Sequence, residues 1–387
     1  MFKPNAEALL QLSQAIGRRL LLPLTAITLL TAASPTLAQS GGTLVSSVPV
    51  PAPAGMRAWR ITYLTTNDRG RVHPVTGMVA APANPSVGRE RKVIAWTHGT
   101  SGVAEKCAPS LMPEFFTLTP ALDAVRNNYV VVAPDYPGLG SPGPHPYLIG
   151  TVTARSTLDA VRAARAIPQA AAGSRFAVWG ESQGGHAALW TGQLARNDGA
   201  GLTLVGVAAG APPTDLAANL RQASDPNAKA LLTSLSAVSW SQYYGVPLNL
   251  GARSTPGIMR RFAGNCVSVR NTPRLGALLG ILTLRRDLKS VDFAGTPPWS
   301  SFVAANSTTP ISRVPVLLAQ TASDPLVAPA VTRQFARRLC ANRVRVRYIA
   351  LPGGDHATTA RQSAAQTLSW IDARFAGAPA PSDCNQL

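Results

Sequence analysis

An α/β fold, with a mostly parallel central sheet and helices on both of its faces, is the architecture this sequence predicts. Three observations carry it. Short apolar runs of strand character alternate with segments of helical period along most of the chain. Several of these runs are apolar at every position, as strands buried on both faces are. One joint between a strand run and a helical run reads Gly180-Glu181-Ser182-Gln183-Gly184, a serine held between two glycines.

The elements follow in order. Lys3, Arg18 and Arg19 precede an apolar stretch at 20–33, and S-P-T-L-A-Q-S follows, with Thr36 and Ala38 as the small residues of a cleavage site. Residues 1–38 therefore read as a signal peptide, too short and too well flanked for a membrane span. No transmembrane segment is expected in the mature chain, which is expected to be secreted or periplasmic. Residues 39–53, rich in Ser, Gly and Pro, read as a linker or an edge segment. A-W-R-I-T-Y-L-T-T-N and V-T-G-M-V-A-A-P alternate as a first strand pair. R-K-V-I-A-W-T-H-G is a third strand and N-N-Y-V-V-V-A-P-D a fourth, followed by a helix over 151–166. The run from Phe176 to Trp179 is the strand before Ser182, and helical spacing resumes at His186. L-T-L-V-G-V-A-A-G is a further strand. Over 212–310 the alternation stops in favour of helical pieces broken by Pro and Gly. One of them, R-L-G-A-L-L-G-I-L-T-L-R-R-D-L, is apolar on more than one face, so it should be buried or line an apolar cavity, with Leu279 and Leu282 among its lining. R-V-P-V-L-L-A-Q-T-A-S-D restores a buried strand. A helix over 327–340, a last strand ending in L-P-G-G-D-H and a closing helix over 357–376 complete the chain.

The 387 residues are 46% hydrophobic, enough for a large core. Length alone allows two domains, but one α/β domain of 39–211 and 311–387 with 212–310 inserted fits as well. Formal charge is +18, yet the arginines are scattered, aromatic residues are only 6%, and no nucleic-acid motif is present. The charge reads first as compositional bias and second as weak attraction to an anionic envelope surface. Cys107, Cys266, Cys340 and Cys384 are an even set, which in an exported chain points to two disulfides. They are too far apart for a C-x-x-C metal or redox site, and sequence alone leaves three pairings open.

A serine on a sharp strand-to-helix turn holds its Oγ clear of the sheet, and the flanking glycines avoid clashes with neighbouring backbone. Ser182 is therefore a candidate nucleophile, and a nucleophilic serine needs an imidazole. Of the five histidines, His356 follows the last strand on a glycine-rich turn, at the strand end where catalytic groups of open sheets gather. His186 lies one turn into the serine's own helix and points along it. His73 and His145 read as loop residues, and His98 ends a strand in the W-T-H-G-T-S-G segment. The orienting acid should also end a strand, and Asp324, before Pro325, does so; Asp355 is the rival. The order Ser182, Asp324, His356 is that of one of the three known triad arrangements. An oxyanion hole would use the N–H of Gln183, at a helix N-terminus, and that of Thr100, with Ser101 or Gly102 as alternatives.

With these residues in place the chain resembles the α/β-hydrolase superfamily, and within it the secretory lipase family. The narrower likeness rests on W-G-E-S-Q-G-G-H-A, on D-Y-P-G-L-G at 135–140, on W-T-H-G-T-S-G followed by Cys107, and on G-G-D-H, and it covers about 59–376. The resemblance implies a triad of Ser182, Asp324 and His356, a helical cap before the aspartate strand, and the disulfides Cys107–Cys266 and Cys340–Cys384. It also implies hydrolysis of small-molecule or lipid esters, triglycerides among them, through an acyl-enzyme, with no metal or cofactor. A serine peptidase of the same fold, or a binding protein on an inactive hydrolase scaffold, are the alternatives.

Overall fold

The computed structural model describes residues 40–86, 88–267 and 275–387, the side chains of 275–278 excepted. The signal peptide expected over 1–38 lies outside the described residues.

Nine strands form one sheet among the described residues: β1 (Leu44–Val50), β2 (Met56–Thr66), β3 (Val72–Pro82), β4 (Arg91–Thr97), β5 (Val130–Pro134), β6 (Ala172–Glu181), β7 (Thr203–Gly210), β8 (Val316–Thr321) and β9 (Val346–Leu351). Their spatial order is β1-β2-β3-β5-β4-β6-β7-β8-β9. Strands β1, β2, β3 and β5 pair antiparallel, and all pairs from β5 through β9 are parallel. This is the α/β-hydrolase architecture. Residues 39–53, left open as a linker or an edge, supply β1, an edge strand with an exposed face. His73, read as a loop residue, lies in β3 instead. The alternation Val72-His73-Pro74-Val75 is too polar at its start to mark a strand unaided.

The helices are α1 (Phe115–Leu118), α2 (Gly150–Arg165), α3 (Gln183–Asp198), α4 (Leu216–Gln222), α5 (Pro226–Tyr244), α6 (Thr255–Ala263), α7 (Leu275–Asp287), α8 (Trp299–Asn306), α9 (Pro329–Ala341), α10 (Thr359–Gln362) and α11 (Ala364–Phe375). The closing helix expected over 357–376 is broken: a 3-10 turn at His356–Thr358 precedes α10 and α11.

Period-two geometry sorts the strand residues onto two cores. In β6, Phe176 and Val178 face a core shared with Leu158 and Val161 of α2 and with Phe335 of α9. Ala177 and Trp179 face the opposite core, with Phe115, Trp370 and Phe375. Both faces are covered, which explains the absence of polar positions in this run. Between β7 and β8, where a helical cap is expected, lie α4 to α8, packed around Leu235, Trp240, Met259 and Trp299 together with Tyr147, Ile149 and Val152 around the start of α2.

The run now seen as α7 behaves differently from its expectation. Leu284 is fully buried, but Leu279 and Leu282 are 57% and 52% exposed, so neither lines a cavity. Apolarity on several faces of a helix does not identify what covers each face, and in α7 one face is turned outward.

Cys107 bonds Cys266, tying the loop after β4 to the cap, and Cys340 bonds Cys384, pinning the C-terminus to α9. The first bridge spans 159 residues of sequence. Closure of so long a loop is worth up to about 5 kcal/mol in the chain-entropy treatment. The double variant Cys107→Ser/Cys266→Ser should therefore unfold at a lower urea midpoint, with an unfolding free energy reduced by an amount approaching that figure. An unchanged midpoint would mean that the bridge constrains nothing in the unfolded chain.

Candidate active site

The turn after β6 sets the site. Ser182 adopts φ 54° and ψ −121°, a conformation that a non-glycine residue rarely takes. Its N–H donates to the Gly210 carbonyl at 2.8 Å, and its own carbonyl accepts from the His186 N–H at 3.0 Å. A Cβ on Gly180 would stand 2.0 Å from Thr97 Oγ1, and one on Gly184 would stand 1.9 Å from the Thr97 carbonyl oxygen. Only glycine fits at either position, so β4, β6 and α3 converge on this one turn.

His356 Nε2 lies 2.7 Å from Ser182 Oγ, and His356 Nδ1 lies 2.8 Å from Asp324 Oδ2. An ionised carboxylate can only accept, so Nδ1 carries the imidazole proton and Nε2 is free to accept from the serine hydroxyl. Burial pushes the Asp324 carboxyl up. The hydrogen bond and charge attraction of His356, with the N–H groups of Val327 and Leu326, outweigh it and hold the group below the usual carboxylate range. Those N–H groups donate to Oδ1 at 2.9 Å, and Gln320 Nε2 donates to Oδ2 at 3.0 Å. Asp324 thus closes the turn that leads into α9 and faces His356 at the same time. Asp355 is exposed and caps its own 3-10 turn, and the imidazole bonds Asp324 and not this rival acid.

Thr100 and Gln183 both border the cavity beside Ser182. The Gln183 N–H is the first of α3 and has no acceptor within that helix. The Thr100 N–H has no hydrogen-bond acceptor among the described residues. Ser182, Asp324, His356, Thr100 and Gln183, named from distant parts of the sequence, are therefore brought to one place. His186 is not: it is buried, with Nε2 2.7 Å from the Asn306 carbonyl.

Apolar side chains extend the site into a cavity of about 450 Å³, within the usual range for small-molecule pockets. Met112 and Phe115 line it from the core, and Leu216, Leu220, Leu232 and Trp240 from α4 and α5 of the cap. Sequence reasoning looked for this lining in α7. The usable signal was the long α5 run of small and apolar residues beginning A-L-L-T-S-L-S-A-V-S-W. No cluster of three His, Cys, Asp or Glu side chains among the described residues could hold a metal.

A serine, an imidazole and a carboxylate in one hydrogen-bonded line, beside free N–H groups and an apolar cavity, can carry out acyl transfer. The class is thus an α/β-hydrolase with a serine at its strand-to-helix turn. The family model described as "Secretory lipase" matches residues 93–244 and 289–383, more than half of the chain, and the protein belongs to that family of ester-acting hydrolases. Lipase 10 of Candida albicans is 23% identical over 85% of this chain and 74% of its own length. Lipase A of Moesziomyces aphidis is 22% identical over 87% of this chain and 77% of its own. Among solved structures, Candida antarctica lipase A superposes with a TM-score of 0.71 at 19% identity, covering 89% of this chain and 84% of that one. The rice cell wall degrading esterase LipA from Xanthomonas oryzae does so with a TM-score of 0.68 at 19% identity, covering 87% and 98%.

Glu181, beside the serine, was not singled out by sequence. Burial pushes its carboxyl up to about 7, only partly offset by the Ala360 N–H, which donates to Oε1 at 2.8 Å. In the unfolded chain the group ionises near the ordinary carboxylate value, so between about pH 4.5 and 7 the folded state holds the extra proton. Its contribution to stability is complete below that window and is lost as pH rises through it. Glu181→Gln keeps the acceptor and removes the titration. The variant should match the wild type in urea midpoint at pH 5 and exceed it at pH 8. A constant difference across that range would disprove the linkage.

Proposed function

We propose that the protein is an exported serine carboxylic-ester hydrolase that acts through an acyl-enzyme. The observation that carries this reading is the line from Ser182 Oγ through His356 to Asp324, with spacings of 2.7 and 2.8 Å, at the wall of an apolar cavity. His356 takes the proton of Ser182 as Oγ attacks the ester carbonyl. Asp324 orients the imidazole and stabilises its charged form. The N–H groups of Gln183 and Thr100 receive the oxyanion; loss of one such donor typically costs roughly 2.7–4 kcal/mol of barrier. His356 then protonates the departing alcohol and activates water to release the acid. The leader over 1–38, the cap limits of 212–310 and export belong to the same reading, supported by the leader's charge pattern and the two disulfides.

The apolar lining suits an acyl chain, and lipase relatives are named for activity on such substrates. Hydrolysis of p-nitrophenyl esters, without cleavage of peptide substrates, is expected of the purified protein. Ser182→Ala should lose turnover by about a millionfold, as removal of the nucleophile does in a serine hydrolase. Near-normal turnover by the folded variant would sink the proposal.

Chain-length preference is assigned to α5. Each buried CH₂ contributes roughly 0.8 kcal/mol, and an amide against the alkyl chain removes contacts of that kind. Leu232→Asn should lower kcat/KM for octanoate esters about tenfold more than for acetate esters. Equal losses would move the acyl site elsewhere in the cavity.

A further inference from the structure

The motif D-Y-P-G-L-G takes no direct part in the chemistry above, yet it packs against the segment 145–147 immediately behind the site. Gly138 (φ 77°) permits the contact, since a Cβ there would stand 2.3 Å from the His145 nitrogen. Tyr136, itself at φ 69°, places its ring between two histidines: 4.4 Å from His98 and stacked at 6.1 Å on His145.

His145 is 1% exposed, and its partners define its tautomer. Nδ1 faces the Pro137 carbonyl at 2.9 Å and must donate to it, so Nε2 is an acceptor. The Gln183 side-chain amide donates to that Nε2 at 3.0 Å. Burial lowers the His145 pKa to about 3, which keeps this neutral form through the working range. The Gln183 side chain is also buried, and its Oε1 has no partner among the described residues. A buried amide with half its capacity unused costs stability, so packing alone does not account for glutamine at 183. Two residues along, the Tyr147 hydroxyl lies 2.8 Å from Thr100 Oγ1. One three-residue segment therefore grips the side chains of both residues whose N–H groups are assigned to the oxyanion.

The same segment is fastened to the cap. Ser239 Oγ donates to the His145 carbonyl at 2.6 Å and accepts from the Tyr147 N–H at 2.8 Å. Trp240 Nε1 donates to the Tyr147 carbonyl at 2.7 Å, while its ring borders the acyl cavity.

We infer that His145 and Tyr147 are positioning residues that form a brace, setting the spacing of the Gln183 and Thr100 N–H groups and linking it to cap helix α5. The inference rests on the hydrolase reading and adds to it how the oxyanion hole is held. Misplacement of such donors by a fraction of an ångström weakens transition-state binding with little effect on the ground state.

The test uses His145→Asn, which retains a donor for Pro137 but withdraws the acceptor from Gln183, and Tyr147→Phe, which removes one hydroxyl. With p-nitrophenyl butyrate, each should lower kcat roughly tenfold to a hundredfold while KM stays within about twofold, the pattern of a contact made in the transition state. Affinity for an alkyl trifluoromethyl ketone, whose adduct places an oxyanion in the hole, should fall in parallel. His145→Gln, which restores an acceptor toward Gln183, should recover part of the His145→Asn loss. Wild-type kcat in both folded variants, with only a lowered melting temperature, overturns the brace. So does a loss confined to KM. Ser182→Ala run alongside separates the two ideas: turnover surviving there overturns the hydrolase reading, whereas its loss with full kcat in the brace variants overturns the brace alone.

Discussion

The backbone of Ser182 is the constraint on which the rest of the molecule depends. A non-glycine residue at φ 54° is strained and persists only where its surroundings leave no alternative. Here three elements supply that restriction. Strand β4 presses Thr97 against the two glycines, β7 takes the Ser182 N–H through Gly210, and α3 begins at once with its first N–H groups unbonded. The parallel order β4-β6-β7 follows from this junction as much as from strand propensity. Strand β7 delivers the Gly210 carbonyl to the turn and β4 the Thr97 hydroxyl, which donates to the Gly184 carbonyl at 2.8 Å, and a slip of one residue would remove either.

What could be read in the sequence was what one local pattern determines. The runs 93–96 in β4, 130–133 in β5 and 176–179 in β6 are apolar at every position because successive residues enter opposite cores, so they were legible as buried strands. Ser182, Asp324 and His356 were legible because each follows a strand, and strand ends share one edge of the sheet. The rest depends on contacts between distant segments. His145 reads as an ordinary loop histidine, since nothing within a few residues announces Gln183 as its partner 38 positions away. The exposed face of α7 was misread because hydropathy records how apolar a helix is and not which side a neighbour covers. The cysteine pairing could not be decided from spacing, which is the same information for all three connectivities. Polar alternation was too weak to distinguish β1 from a linker.

Sheet and inserted helices share the cavity beside Ser182, and their contributions differ along its walls. The core contributes the polar edge with Ser182, His356 and Thr100, while α4 and α5 contribute aliphatic surface and the Trp240 ring. Reactive groups sit on strand ends fixed by the sheet. The aliphatic lining sits on helices whose core also takes in Tyr147, Ile149 and Val152 around the start of α2. A sheet whose register is set by its neighbours tolerates little change, whereas helices filling a cap can exchange apolar side chains with smaller consequences.

The two disulfides also divide the chain topologically. The Cys107–Cys266 bridge closes a covalent ring that contains Ser182, and the Cys340–Cys384 bridge closes a second that contains His356. A peptide bond cut within either ring leaves the pieces joined, so the nicked molecule remains one species until a reductant is added. The stretch between Cys266 and Cys340 belongs to neither ring, and it contains Asp324. Severing it there leaves two fragments, one holding Ser182 and the other His356, kept together only by non-covalent packing, that of α10 and α11 against β7 included. A protease can separate the chain only by cutting outside both rings, before Cys107 or between Cys266 and Cys340, and a cut in the second stretch is the one that parts Ser182 from His356.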